Sequence, residues 1–252
     1  MFRKITYDAG RITLNRPDKR NALDPEMIAE LREALDTAAA DTSVRVVVIR
    51  GAGKDFCSGA DLESLERVLR ADVVENLADA RSLAGLFLAM RDHARPVIAA
   101  VRGRALAGGC GLATACDIVL AADSAQFGYP EVNIGFVPAM VMAMLRRSVS
   151  EKEAFQLVAT GEVIGAKRAC EMGLVQRVFA DEAFDSEVEA YVNRLAAKPP
   201  SAVSMTKGLL YHMDGQPFET ALESGVHTNT LARMTEDCKA GIRRFLSKAQ
   251  PG

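Results

Sequence analysis

A chain of 252 residues, 49% hydrophobic and 25% charged, is long enough to bury one large core, or one core with a small helical appendage. Its formal net charge is -2, and Lys and Arg are scattered singly or in pairs such as Arg146-Arg147, which excludes the basic stripe of a nucleic-acid binder. No apolar run reaches the ~18 residues that span a bilayer, and Met1-Phe2-Arg3-Lys4-Ile5-Thr6 lacks the apolar stretch of a signal peptide, so no membrane partner and a cytoplasmic location are expected.

Arg3 to Tyr7 and Arg11 to Leu14 read as a hairpin closed by Asp8-Ala9-Gly10, where Gly suits positive φ. Asp24 is a good helix N-cap and Pro25 fits the first helical position. Met27, Ile28, Leu31 and Leu35 then recur on one face. Val44 to Ile49 is a β-branched run without alternation, as in a strand covered on both faces. Val97 to Val101 and Ile118 to Ala122 are short apolar runs that each follow a helical stretch, which argues for parallel strands joined by helical crossovers. Ser150-Glu151-Lys152-Glu153 is a capping box, and Gly173 closes a helix over Ala166 to Met172 before a strand, Leu174 to Phe179. Beyond Phe179 the strand signals stop. The breaks at Pro199-Pro200 and Gly215-Gln216-Pro217 divide the remainder into three or four helices, so an α/β core over residues 1–190 and a helical region over 191–252 are expected.

Cys57, Cys110, Cys116, Cys170 and Cys238 form no C-x-x-C pair and read as reduced small hydrophobes. His93, His212 and His227 lack the spacing of a zinc site, so no metal is expected. The phosphate-loop, dinucleotide-binding and nucleophile-elbow motifs are all absent.

Two glycine-rich turns hold the chemical signal. Gly51 to Leu62 follows one strand and precedes a helix, and the small residues around Gly59 and Ala60 let a ligand approach the backbone and its N–H groups. Taken alone it is also an ordinary strand-to-helix loop with Asp61 as N-cap. Arg102 to Leu112 again follows a strand and opens a helix, whose unpaired N–H groups favour a developing anion. Two such turns can form a two-donor oxyanion hole, although close packing of helix on strand needs small residues too.

Asp55-Phe56-Cys57-Ser58-Gly59-Ala60-Asp61-Leu62, then Ala105 to Asp117, then Phe127-Gly128-Tyr129-Pro130-Glu131, resemble the enoyl-CoA hydratase/isomerase (crotonase) superfamily. Leu14-Asn15-Arg16-Pro17, Asn21-Ala22-Leu23, Thr160-Gly161 and Ala169 to Val175 match as well, so the resemblance covers nearly the whole chain. It implies a β-β-α superhelix (the ClpP/crotonase fold) with a C-terminal helical region that builds a homotrimer or homohexamer. It also implies acyl-CoA thioester substrates, with no metal or redox cofactor. By position, the Ala60 and Gly108 N–H groups are the oxyanion-hole donors, and Ala60, Asp61, Leu62 and Glu63 line the CoA and thioester site. Lys248 is the candidate for a basic residue that reaches a neighbouring subunit's CoA phosphate.

Hydratases of the family place two glutamates around the substrate double bond. Here the second is Glu131, while Gly111 occupies the position of the first and has no side chain to move a proton. One reading is a hydratase in which Glu131 works with a positioned water and a cavity opposite Gly111 takes a branched or carboxylated acyl group. Glu131 to Ala139, with Gly109-Cys110-Gly111-Leu112, look closest to bacterial methylglutaconyl-CoA hydratases. A second is a Δ3-Δ2 enoyl-CoA isomerase, which needs one base. A third is a CoA-thioester-binding subunit without turnover. Met140, Met142 and Met144 replace a glycine-rich run of many relatives and read as core or interface filler more readily than as an acyl-pocket wall.

Overall fold

In a computed structural model of the chain, which describes residues 2–249 and side chains through residue 247, β1 (Ile5–Asp8) and β2 (Arg11–Leu14) pair antiparallel. Ala9 and Gly10 both take positive φ at the turn, as a tight two-residue hairpin connection requires. Helix α1 (Pro25–Ala40) starts where Asp24 caps it, its carboxylate accepting the Met27 N–H at 2.8 Å. It buries Met27, Ile28, Leu31 and Leu35.

Strands β3 (Val47–Gly51), β4 (Val97–Val101) and β6 (Ile118–Ala122) form the centre of a six-stranded sheet of order β1-β2-β3-β4-β6-β9, with β9 at Arg177–Phe179. All its pairings after the first hairpin are parallel. The unalternating apolar runs have a direct cause: successive residues serve two different cores. Val47, Ile49, Val97, Ala99 and Val101 face α1, α3 (Val73–Asp92) and α4 (Gly108–Thr114). Val46, Val48, Ile98, Ala100 and Leu120 face α8 (Phe184–Ala196) through Phe184, Val188 and Val192.

A second sheet escapes the sequence reading because its strands are only three residues long: β5 (Arg104–Leu106), β7 (Gln126–Gly128) and β8 (Val163–Gly165). It supports the turn before α4, and Cys57 bridges to Ala105 at its edge. Short α2 (Leu62–Val68) precedes α3. Helices α5 (Ala139–Ser148), α6 (Glu151–Thr160) and α7 (Ala166–Glu171) complete the core.

The tail carries α9 (Pro200–His212), α10 (Phe218–Met234) and α11 (Glu236–Ala249). The expected boundary between residues 190 and 191 falls inside α8, whose buried face belongs to the sheet layer. Helix α9 is docked by Lys207, which is 8% exposed. Its Nζ donates to Met90 O at 2.8 Å and pairs with Asp117 at 2.8 Å, while Tyr211 donates to the same carboxylate at 2.6 Å. Among the described residues, no helix is long and apolar enough to cross a membrane.

Candidate active site

The loop after β3 is held from below by Asn21. Its buried amide donates to Ala52 O at 2.8 Å and Asp55 O at 2.7 Å. Leu23 then bridges the end of the loop: its N–H donates to Gly59 O at 2.7 Å and its carbonyl accepts the Asp61 N–H at 3.1 Å. Pairing through the residues on either side leaves the Ala60 N–H without an acceptor among the described residues.

The second turn abuts the first. A Cβ added at Gly59, where φ is +96, would stand 2.8 Å from Ala107 Cβ and 3.3 Å from Gly108 N. One added at Gly109 would stand 2.3 Å from Cys57 O. Both glycines are therefore fixed by close approach of backbone to backbone. Ala107, the residue before α4, has φ 50 and ψ -128, a conformation costly for any residue with a side chain, and its N–H donates to Gly128 O at 2.9 Å. The Gly108 N–H, at the first position of α4, also has no acceptor among the described residues.

Both N–H-bearing residues line a cavity of about 420 Å³ that also holds Glu131. Glu131 stands in a 3₁₀ turn, Pro130–Ile134, directly after β7. Tyr129 anchors the turn's start, fully buried, its hydroxyl 2.7 Å from that of Thr114. Oε2 of Glu131 is buried without a hydrogen-bond partner, and burial raises its carboxyl above the ordinary glutamate range. Leu23, Ile28, Leu65, Val68, Leu83 and Phe136 make much of the remaining wall apolar. Among the described residues, no Lys, Arg or His lines it, whereas Asp24, Asp79 and Glu131 do.

Asp61, Leu62 and Glu63 stand apart from this wall. Asp61 is 6% exposed and turns inward to cap α2, accepting the Ser64 N–H at 2.8 Å and pairing with Arg16 at 3.0 Å. Burial alone would push its carboxyl up, but the Ser64 and Arg16 hydrogen bonds prevail and hold it below the ordinary range. Leu62 is 75% exposed, and neither it nor Glu63 belongs to the cavity wall. The side chain of Lys248 lies outside the described residues.

Gly111 requires a correction. It is buried in the seam between α4 and α5, where an added Cβ would stand 2.1 Å from Val141 Cγ1 and 3.5 Å from Phe87 Cζ. The space expected opposite it is filled by Val141, so the absent side chain provides no room for an acyl group. Val141 and Met140 instead belong to the cavity wall, so Met140, read from the sequence as filler, faces the site. The apolar spacing within α5 marks a helix, but only the tertiary packing shows which of its residues face the site.

The cysteines are free, and burial lifts Cys57 to about 12 and Cys110 to about 11, leaving both as unreactive thiols beneath the two turns. Among the described residues, no group of three or more His, Cys, Asp or Glu is placed to hold a metal ion.

The profile of the enoyl-CoA hydratase/isomerase family matches residues 7–252. A Thermus thermophilus protein provisionally named an enoyl-CoA hydratase is 42% identical over 95% of each chain. The 2,3-dehydroadipyl-CoA hydratase of Escherichia coli is 37% identical over 95% of this chain and 92% of its own. The crystal structure of a Mycobacterium smegmatis enoyl-CoA hydratase superposes with a TM-score of 0.91 at 36% identity, covering 99% of this chain and 98% of that one.

Proposed function

The chain belongs to the enoyl-CoA hydratase/isomerase (crotonase) family, and from that premise we propose that it hydrates an uncharged 2-enoyl-CoA thioester using Glu131 as its single acid and base. The observation that carries the reading is the convergence of the unbonded Ala60 and Gly108 N–H groups with a desolvated, partnerless carboxylate oxygen on one apolar cavity.

The Glu131 carboxylate takes a proton from water as the water oxygen bonds to C3 and the C2–C3 π electrons move toward the thioester. The carbonyl oxygen gains enolate charge, which the Ala60 and Gly108 N–H groups stabilise. Glu131 then returns the proton to C2 as the enolate collapses, and 3-hydroxyacyl-CoA leaves. Raised by burial, the carboxyl is suited to both halves of this transfer. CoA enters as part of the substrate, and no metal or redox cofactor takes part in the proposed steps. Among the described lining residues no cation is present to pair with a terminal carboxylate on the acyl group, as in 3-methylglutaconyl-CoA, and of the lining acids Asp24 is already paired with Arg16 at 2.9 Å, so the wall favours an uncharged acyl group.

The lone carboxylate also favours a second reading, Δ3-Δ2 isomerisation, in which Glu131 carries one proton between two carbons. Incubation with crotonyl-CoA, a 3-enoyl-CoA and 3-methylglutaconyl-CoA separates the readings. Water addition to crotonyl-CoA is expected; double-bond migration without hydration would replace the first reading with the second. No turnover across the panel would leave a thioester-binding subunit.

The proposed assembly is a homotrimer or a hexamer of two trimers. Its support is the apolar surface of α10 and α11, where Phe218, Met234 and Phe245 are 76%, 67% and 72% exposed. Lys248 remains the proposed contact to a neighbour's CoA phosphate. Sedimentation at micromolar concentration should give three or six times the monomer mass, and a monomer would refute the assembly.

A further inference from the structure

Two cavities lie at opposite ends of α4. The cavity that holds Glu131 opens at the N-terminal end, against Ala107 and Gly108. A second, of about 660 Å³, opens at the C-terminal end, against Thr114, Ala115 and Cys116. The ends of this helix are about 9 Å apart at 1.5 Å rise per residue. Both cavities occupy the seam between α3 and α5: Leu83 and Val141 line the first, Ala84, Phe87 and Met144 the second.

Among the described residues, Met140 alone lines both cavities. Beside it Val141 closes the middle of the seam, its Cγ1 packed where a Gly111 side chain would begin and Phe87 next to it. The barrier is therefore one layer of side chains, and the partly buried member that lines both cavities is an unbranched, adaptable methionine.

We propose that Met140, backed by Val141 against Gly111, is the partition that sets acyl chain length: the native site takes a short acyl group, and the second cavity is a dormant extension of the acyl channel. The proposal rests on the acyl-CoA reading above and adds what limits the acyl tail. Past the partition, Phe87, Leu88, Ala143 and Met144 offer apolar walls to further methylenes. At the far end Arg91 and Arg147 converge on Asp214, with Arg91 Nη2 at 2.7 Å, so the extension ends in a polar cluster.

The test is calorimetric titration of saturated acyl-CoAs from butyryl to dodecanoyl against the native protein, Met140→Ala, the milder Met140→Val and the refilled pair Met140→Ala/Ala143→Leu. Saturated thioesters cannot be hydrated, so the series reads the channel independently of the reaction. For the native protein, affinity should stop rising after the first few carbons. In Met140→Ala it should keep rising, by up to about fourfold for each methylene that enters the extension, so that two buried methylenes already give more than about tenfold over native for dodecanoyl-CoA with butyryl-CoA little changed. Met140→Val should give a smaller gain, and Ala143→Leu should cancel it. A steady rise in the native protein, an unchanged series in both Met140 variants, or no binding at any length would overturn the partition. Crotonyl-CoA turnover is measured beside it: an altered series without hydration sinks only the hydratase reading, and hydration with an unaltered series sinks only the partition.

Discussion

Placing a side chain at Gly111, where the family resemblance implies an acid, tests whether that position faces a vacancy or a filled seam. An added Cβ would stand 2.1 Å from Val141 Cγ1, an overlap of about 1.3 Å relative to ordinary contact. Both partners are on packed helices, so relief requires α5 to move or Val141 to leave its rotamer, an overpacking cost of about 1–3 kcal/mol. Better helix propensity in Gly111→Ala returns up to ~1 kcal/mol. An approach this close puts the overpacking cost in the upper part of its range, about 2–3 kcal/mol, so the net loss is about 1–2 kcal/mol, or a Tm lower by about 2–8 °C for a chain of this size. Gly111→Glu should lose more, because its carboxylate enters the seam with no partner there. It should also fail to raise crotonyl-CoA hydration, since its Cβ points at Val141 and Gly111 is outside the cavity wall. Gly111→Ala/Val141→Ala should recover most of the lost Tm. Scanning calorimetry of the three variants with a hydration assay decides the matter. An unchanged Tm in Gly111→Ala, or faster hydration by Gly111→Glu at native stability, would refute the filled seam.

Glu131→Gln should lower kcat about 10²-fold or more while saturated acyl-CoA binds as before; equal turnover would remove Glu131 from the chemistry. The same variant should be more stable near neutral pH, by ~1 kcal/mol, because the native carboxylate is desolvated and Oε2 is unpaired. With the folded carboxyl raised above its ordinary 4.5, the penalty is absent below 4.5 and develops as pH rises through the folded value, so the Tm gain should be present at pH 7 and gone at pH 4. Ala107→Gly should raise Tm by about 2–4 °C, since relief of its positive φ outweighs the entropy of a glycine, and a lower Tm would show that Ala107 is unstrained. Lys207→Met leaves Asp117 with only the Val97 N–H and Tyr211 hydroxyl. A loss of about 3–5 kcal/mol is expected, and denaturant titration giving less than ~1 kcal/mol would remove Lys207 as the anchor of α9.

The parts legible in the sequence are those governed by local rules. Asp24 and Pro25 set the start of α1, and the runs Val97–Val101 and Ile118–Ala122 coincide with β4 and β6 residue for residue. Glycines at Gly59 and Gly109 mark close backbone approach, although only the fold reveals that each glycine is demanded by the other turn's chain. The short second sheet was hidden because a three-residue strand has too few positions to show a period. Asp61 is legible as the N-cap of α2, whereas its pairing with Arg16, far back in the chain, is visible only in the fold.

Gly111 is the more instructive case. A missing side chain reads as missing volume, and missing volume reads as a larger substrate. Protein interiors are close-packed, however, so a side chain lost from a buried helix face is compensated by whatever packs opposite. Here that is Val141, thirty positions away on α5, and no motif links the two. The exchange has a consequence for the chemistry. With valine filling the seam, Glu131 is the carboxylate of the described cavity wall with a buried, partnerless oxygen. A site arranged in this way can hold enolate charge and move one proton at a time, and water must be placed by the substrate and the apolar wall without a second acid. Hydration at such a site should therefore depend on acyl shape more steeply than at a site with two carboxylates.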